Sequence, residues 1–333
     1  MKIAAYIGAL LGLALLTALF IHEGYAAVLQ ALGLAGWALL WLVPYRMLYF
    51  LLYAVGWSRL LRPCDPPRRA GFGYLLWVTT VREAIDRLLP VASVGGSVAG
   101  VRLLRLRGLA AVPVAASVIV EILLTLMVLY LFTALGLVLL FQLSGTGQEY
   151  HRLLLGFLLS LPIPVATALL LRYGSIFERL QSFLRPMVGE SALSQDAAAL
   201  DQAVRDCLRR RRTLLCVGAL QFTAFVSGSF EIWFALRLFG HPVGVGAAIA
   251  LESMTQAVRH FAFIVPAGLG VQEAGLVLFG HVLGIGSELA LAVSMAKRMR
   301  EVLCGLPPLL SWQWLEGRRL KALIAQRNSN SRG

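Results

Sequence analysis

Leu88-Leu-Pro-Val-Ala-Ser-Val-Gly-Gly-Ser-Val-Ala-Gly100 and Val265-Pro-Ala-Gly-Leu-Gly-Val-Gln-Glu-Ala-Gly275 interrupt two otherwise apolar stretches with proline and glycine. Hydrocarbon offers no water to the backbone groups that such breaks set free. At membrane depth the breaks are tolerated only against protein or a water-lined cavity, so they point to a transport site. Composition makes the membrane the right frame: of 333 residues 59% are hydrophobic and 14% charged, and the apolar segments are too long and too many for one soluble core. The formal charge of +13 does not indicate nucleic acid. The arginines gather at the ends of apolar segments, as expected of cytoplasmic loops facing anionic lipid.

The run Ile3–Ile21, behind Met1 and Lys2, exceeds the ~7–15 apolar residues of a signal peptide and reads as a retained first helix. Further spans are expected at 34–56, 109–142, 153–171, 213–239 and 289–312, each near or above the ~20 residues needed to cross. That makes six full crossings in an all-α polytopic membrane protein. Two segments remain, 71–101 and 242–287, too apolar for loops and too broken for ordinary spans. Arg59, Arg62, Arg68 and Arg69 precede the first, and Arg102, Arg105 and Arg107 follow it, so both its ends are placed in the cytoplasm. The second is flanked by Gly240-His241 and Gly284-Ile-Gly-Ser287, without lysine or arginine, so its ends are placed outside. Each is expected to be a re-entrant hairpin, the two entering from opposite faces. The remaining basic clusters, Arg205, Arg209 to Arg212 and Arg318 to Arg332, then fall inside with both termini, and Arg152 alone lies in an external loop.

The pattern of two spans, a hairpin and a closing span thus occurs twice, over 1–142 and, inverted, over 153–312. An offset of 176 residues carries Pro90 onto Pro266, Glu83 onto Arg259 and Glu121 onto Lys297. A one-residue shift aligns Gly95 with Gly270 and Gly100 with Gly275. Residues 172–212, with Leu180, Phe183, Leu184, Met187, Leu193, Leu200 and Val204, read as amphipathic helices on the cytoplasmic surface, and 313–333 as a basic tail.

Arg46, Arg82, Glu83, Asp86, Arg87, Glu121, Glu231, Glu252, Arg259, Lys297, Arg298, Arg300 and Glu301 all lie at membrane depth. At ~3 kcal/mol each they would cost tens of kcal/mol facing lipid, so they must meet one another, water or a polar ligand. Pairing is expected at Arg82–Asp86 and Glu83–Arg87, both i,i+4, although Arg82 and Glu83 also stand as candidate ligand contacts. Glu252 stands two turns from Arg259 and is placed to neutralise it. Local sequence supplies too few acids for Lys297 and Arg298, so an anionic headgroup is the expected partner of Arg259, Lys297 and Arg298, with Arg300 snorkelling. Gly95, Gly96, Gly268 and Gly270 would bring half-helix N–H groups close to the same headgroup, with Ser97, Gln272 and Glu273 beside them. Glu121 and Glu231 are candidate proton carriers.

Pro90 to Gly96 followed by basic residues, Pro266 to Glu273, and the embedded Lys297-Arg298 resemble the flippase-like membrane region of lysylphosphatidylglycerol synthases over nearly the whole chain. Within that group, Arg82-Glu83 leading into Leu88 to Gly96 looks most like the HpnL-type proteins associated with hopanoid biosynthesis. Many relatives carry a glutamate after the glycines of the first motif, where this sequence has Ser97. The resemblance implies lipid translocation in a bacterial inner membrane, with lipid or hopanoid synthesis enzymes as possible partners. The soluble aminoacyl-transferase domain of the synthases is not expected after Trp312.

Enzyme signatures are missing. His22, His151, His241, His260 and His281 show no metalloprotease spacing, no Asp-x-Asp pair occurs, and no Walker-type phosphate loop is present. No cofactor, metal or disulfide is expected. A lipid-modifying enzyme using Glu83, Asp86 or Glu273, and a scaffold for lipid-synthesis enzymes, are the alternatives to a transporter.

Overall fold

The structure is a computed structural model that describes residues 33, 36–65, 69–89, 95–144, 148–173, 194–261, 265 and 270–330. The expected first span 3–21, residues 174–193 of the amphipathic segment, and parts of both hairpin tips including Gly268 lie outside them. Among the described residues the chain is helical and without strands. A 3-10 segment Gly36–Trp41 leads into α1 Leu42–Leu61, followed by α2 Phe72–Leu88, α3 Gly95–Arg105 and α4 Ala111–Ser144. Then come α5 Gln148–Ser160, α6 Pro162–Tyr173, α7 Ser194–Leu208, α8 Arg211–Leu238, α9 Val245–Phe261, α10 Val271–Val282 and α11 Ser287–Asn330.

Among the described residues, four stretches are long and apolar enough to cross a membrane: Gly36–Leu61, Ala111–Leu143, Leu154–Tyr173 and Arg211–Leu238. They coincide with four of the expected spans. Only 6% of the Leu154–Tyr173 window is buried, against 33% or more of the others, so α5 and α6 form an outer flank. The expected span 289–312 lies within α11 but is not among the four, since Lys297, Arg298, Arg300 and Glu301 crowd its middle. At 44 residues α11 is about 66 Å long, twice the ~30 Å of hydrocarbon, and the segment expected as a tail continues its helix through Asn330.

The two interruptions sit where their chemistry requires. Leu89, the residue before Pro90, is extended (φ −100°, ψ 145°), because a proline ring disfavours helical geometry in its predecessor. Gly270 begins α10 at φ 74°, a backbone conformation that side chains other than glycine's resist. On either side of the breaks, α2 packs along α3 and α9 along α10. Close approach is served by small residues: a Cβ on Gly136 of α4 would lie 1.6 Å from Ser253 Oγ of α9. The described part of the amphipathic segment, α7, packs on α4 and α6 and buries Val204 and Cys207.

Among the described residues two large apolar clusters occupy opposite ends of the bundle, with a small third, Val128, Leu129 and Phe132 of α4 and Phe225 of α8, between them along those two helices. One gathers Trp57 to Leu61 of α1, α2, α3, Val114 to Val120 of α4, Val217 of α8 and Leu309 of α11. The other gathers Leu42 of α1, Leu137 of α4, Ile232 to Leu236 of α8, α9, α10 and Ala290 to Ala296 of α11. Helices α1, α4, α8 and α11 thread both clusters. Helix α1 runs from the second cluster to the first and α8 the other way, and α4 and α11 are likewise opposed. The α2/α3 pair belongs to one end and the α9/α10 pair to the other.

A charged layer between two apolar clusters

The same four helices carry ionisable side chains where they pass between the clusters. Arg46 lies between Leu42 and Trp57 on α1, Glu121 follows Val120 on α4, Glu231 precedes Ile232 on α8, and Lys297 to Glu301 lie between Ala296 and Leu309 on α11. Arg82, Glu83, Asp86 and Arg87 on α2, with Glu252 and Arg259 on α9 and Glu273 on α10, complete the layer. Most are buried, Glu273 wholly, Arg300 to 2% and Lys297 to 4% exposure.

Six of them close a circuit. Arg46 bonds Glu83 at 3.0 Å, Glu83 accepts from Arg87 at 2.9 Å, and Arg87 lies 3.6 Å from Glu301. Glu301 lies 3.6 Å from Arg300, Arg300 pairs with Glu231, and Glu231 returns to Arg46 at 3.7 Å. The circuit joins α1, α2, α8 and α11. Five of its members, Arg46, Glu83, Arg87, Arg300 and Glu301, line a partly open cavity of ≈ 10 Å³ with Cys304 and Gly305 beside them. That is room for about one water molecule. Pro307 and Pro308 carry no N–H with which to donate to the carbonyls of Leu303 and Cys304, one turn back along α11.

The second interruption is stitched to the circuit. Arg259 lies 3.5 Å from Glu301 and donates to Gln272 at 3.1 Å; Gln272 donates to Ser294 at 3.3 Å; and Ser294 donates to Glu273 at 2.9 Å. Arg298 bridges Glu273 at 3.0 Å and Glu301 at 3.2 Å. Lys297 and Glu252 form a pair at 2.5 Å, with Gln256 donating to the same carboxylate at 2.8 Å. At the first interruption, Arg82 pairs with Glu121 at 2.8 Å and lies over the Trp57 ring, while the Gly96 N–H donates to Asp86 at 2.8 Å.

These contacts revise several sequence expectations. Glu83–Arg87 forms as expected, but Arg82 turns to Glu121 on α4 and leaves Asp86 to Gly96. Arg259, Lys297 and Arg298 do not lack acidic partners. Glu301, Glu252 and Glu273 supply them, the last two from other helices 45 and 25 residues away in sequence. Glu252 therefore neutralises Lys297 and not Arg259. Arg300 does not snorkel, being buried against Glu231. Glu121 and Glu231, the candidate proton carriers, are both ion-paired. Gly95 opens α3, Ser97 is buried, and Gly270 caps α10. Ser294 and Gln256 escaped notice because an uncharged polar residue in a helix gives little signal. The charges of Arg46, Arg87 and Glu301 were visible, but not their convergence.

Lys297→Met is expected to lower stability by about 3–5 kcal/mol, because it strands a buried carboxylate, and Lys297→Met with Glu252→Gln to recover most of that loss. Thermal unfolding of the two purified variants in detergent decides. Equal losses in both would dismiss the pair.

The fold and this layer define an all-helical, multi-pass membrane protein whose polar groups are gathered inside. The chain belongs to the family described as the lysylphosphatidylglycerol synthase TM region, whose model matches residues 5–306. Membership ties it to lipid metabolism. No curated protein and no solved structure matches it.

Proposed function

We propose that the protein moves a polar lipid across the bilayer, its headgroup passing through the charged layer while its tails stay in hydrocarbon. The observation that carries this reading is the closed circuit itself. A purely structural core has no need of so many buried charges, since apolar replacements of buried ion pairs are often as stable or more so. A path for a charged headgroup does need them. The cavity holds about one water and no headgroup, so this conformation is the closed one. Translocation then requires the circuit to open, with Arg259, Lys297 and Arg298 exchanging carboxylates for the lipid's phosphate.

The inverted-repeat reading finds support in reciprocal packing. Helix α1 lies on α8, α2 on α11 and α9 on α4, so each hairpin leans on the closing helix of the other half. Glu121 and Lys297, matched by the 176-residue offset, each pair with the first limb of the hairpin in their own half. In this reading both hairpins are re-entrant from opposite faces, six helices cross, and the termini lie in the cytoplasm of an inner membrane. The hopanoid association rests on resemblance alone. Gly268, Gly270, Gln272 and Glu273 would meet the headgroup from one side and Gly95 and Ser97 from the other, with proton coupling through Glu121 or Glu231 on opening.

Reconstitution into liposomes with fluorescent phospholipids or hopanoid lipids tests the reading. The expected result is protein-dependent leaflet exchange, lost in folded Lys297→Ala and Arg298→Ala. No exchange and no saturable lipid binding would end it. A new lipid product from purified protein would assign an enzyme instead, and unimpaired cellular function in both variants would favour a scaffold.

A further inference from the structure

A second cavity lies away from the charged layer, where α1 ends and α2 begins. Its volume is ≈ 360 Å³, within the range of small-ligand sites and far above the water-sized space in the circuit. One wall is cationic: Arg59, in the last turn of α1, and Arg62, which caps that helix, are both exposed. Arg59 meets Cys216 Sγ of α8 through one of the five N–H donors that its guanidinium carries. The single acid in the lining, Asp65, is turned to the backbone, accepting from the N–H groups of Arg69 at 2.8 Å and Ala70 at 2.9 Å. The other wall is apolar: the half-exposed ring of Phe72 stands beside Leu61 and Leu75, which are themselves buried.

We infer that this cavity binds a phosphate-bearing anion, and that its occupant is the headgroup of an anionic glycerophospholipid. Two adjacent guanidiniums suit phosphate oxygens, which accept paired, charge-assisted N–H bonds. The beginning of α2 adds to this, because Gly71 brings no side-chain cap to the positive end of the helix. A free phosphate satisfies the arginines but leaves the Phe72 ring wet. A phospholipid satisfies both, with phosphate on the arginines and glycerol and upper acyl chain on the Phe72 ring. The inference rests on the membrane reading and is independent of transport, since binding is measured without leaflet exchange.

The full-length protein in detergent is titrated with short-chain phosphatidylglycerol, short-chain phosphatidylcholine and inorganic phosphate, and binding is followed by native mass spectrometry. Saturable binding of phosphatidylglycerol over phosphatidylcholine is expected. Arg59→Gln with Arg62→Gln should weaken it by about tenfold or more, as for the loss of one to two kcal/mol of charge-assisted bonding. Arg59→Lys with Arg62→Lys should retain most of it, which separates charge from a folding defect. Equal binding of the two lipids, or unchanged binding in the glutamine pair, overturns the site. Displacement of phosphatidylglycerol by inorganic phosphate alone overturns the lipid assignment. A protein that binds here but moves no lipid keeps this inference and loses the transport reading.

Discussion

Glu301→Gln is expected to be the most damaging single charge change in the layer. Its carboxylate faces four guanidiniums: Arg298 at 3.2 Å, Arg259 at 3.5 Å, and Arg87 and Arg300 at 3.6 Å each. Glu231 and Glu83 each serve two, and Glu83 is the more exposed, its side chain 23% accessible against 7% for Glu301. The amide keeps the shape and removes the charge, so what is lost is the neutralisation of the surrounding arginines. A loss of about 3–5 kcal/mol, the usual consequence of breaking a buried pair from one side, is the expected scale. Thermal unfolding in detergent should rank Glu301→Gln below Glu231→Gln, and that below Glu83→Gln. The chain supplies its own reporter of the circuit's state: Cys304 lines the water-sized cavity and is 8% exposed. With Cys64, Cys207 and Cys216 replaced by serine, Cys304 should resist maleimide in the parent and react about tenfold faster or more in Glu301→Gln, as expected when one to two kcal/mol is removed from a closed state. A Glu301→Gln protein as stable as the parent, with Cys304 still protected, would show that the circuit is not what holds the closed state.

The all-helical class, four spans and the inward placement of the charges were legible in the sequence because each is a local property. Apolar run length fixes a span, and the cost of a charge in lipid forces it inward wherever it falls. Pairing was not legible beyond one helical turn. Glu83–Arg87 is an i,i+4 neighbour and was readable, whereas Lys297 finds Glu252 across two helices and Glu301 collects Arg87 from another half of the chain. No periodicity within one element encodes which element it will face. The apparent cationic surplus around Lys297 and Arg298 was therefore an artefact of counting along the chain. In the proposed transport, balanced charges that form a closed circuit can be exchanged for a ligand's charges one pair at a time, whereas a bare cationic patch in hydrocarbon would have no stable unliganded state.

The first glycine motif has a role that its sequence alone did not separate from ligand binding, and Gly96→Ala isolates it. A Cβ at Gly96 would stand 2.2 Å from the backbone oxygen of Arg82 and 2.6 Å from Asp86 Oδ2. The first is a carbonyl within α2 and has no rotamer by which to retreat, so α2 and α3 must part. That separation would stretch the Gly96 N–H bond to Asp86 and pull Arg82 from Glu121. Overpacking of this kind costs about 1–3 kcal/mol, and the strained buried pairs bring the expected loss to the upper end of that range. Gly100→Ala is the graded comparison: its Cβ meets only the Arg82 side chain, at 2.7 Å from Cδ, which can rotate away at the expense of the Glu121 pair. Gly73→Ala, with nothing within 4 Å of its Cβ, should be neutral or slightly stabilising. Unfolding midpoints in detergent should fall in the order Gly73→Ala, Gly100→Ala, Gly96→Ala. If Gly96→Ala unfolds with Gly73→Ala, then α2 and α3 do not approach as closely as the hairpin requires. The Gly96 N–H would then be released from Asp86 to serve a headgroup, as the sequence first suggested.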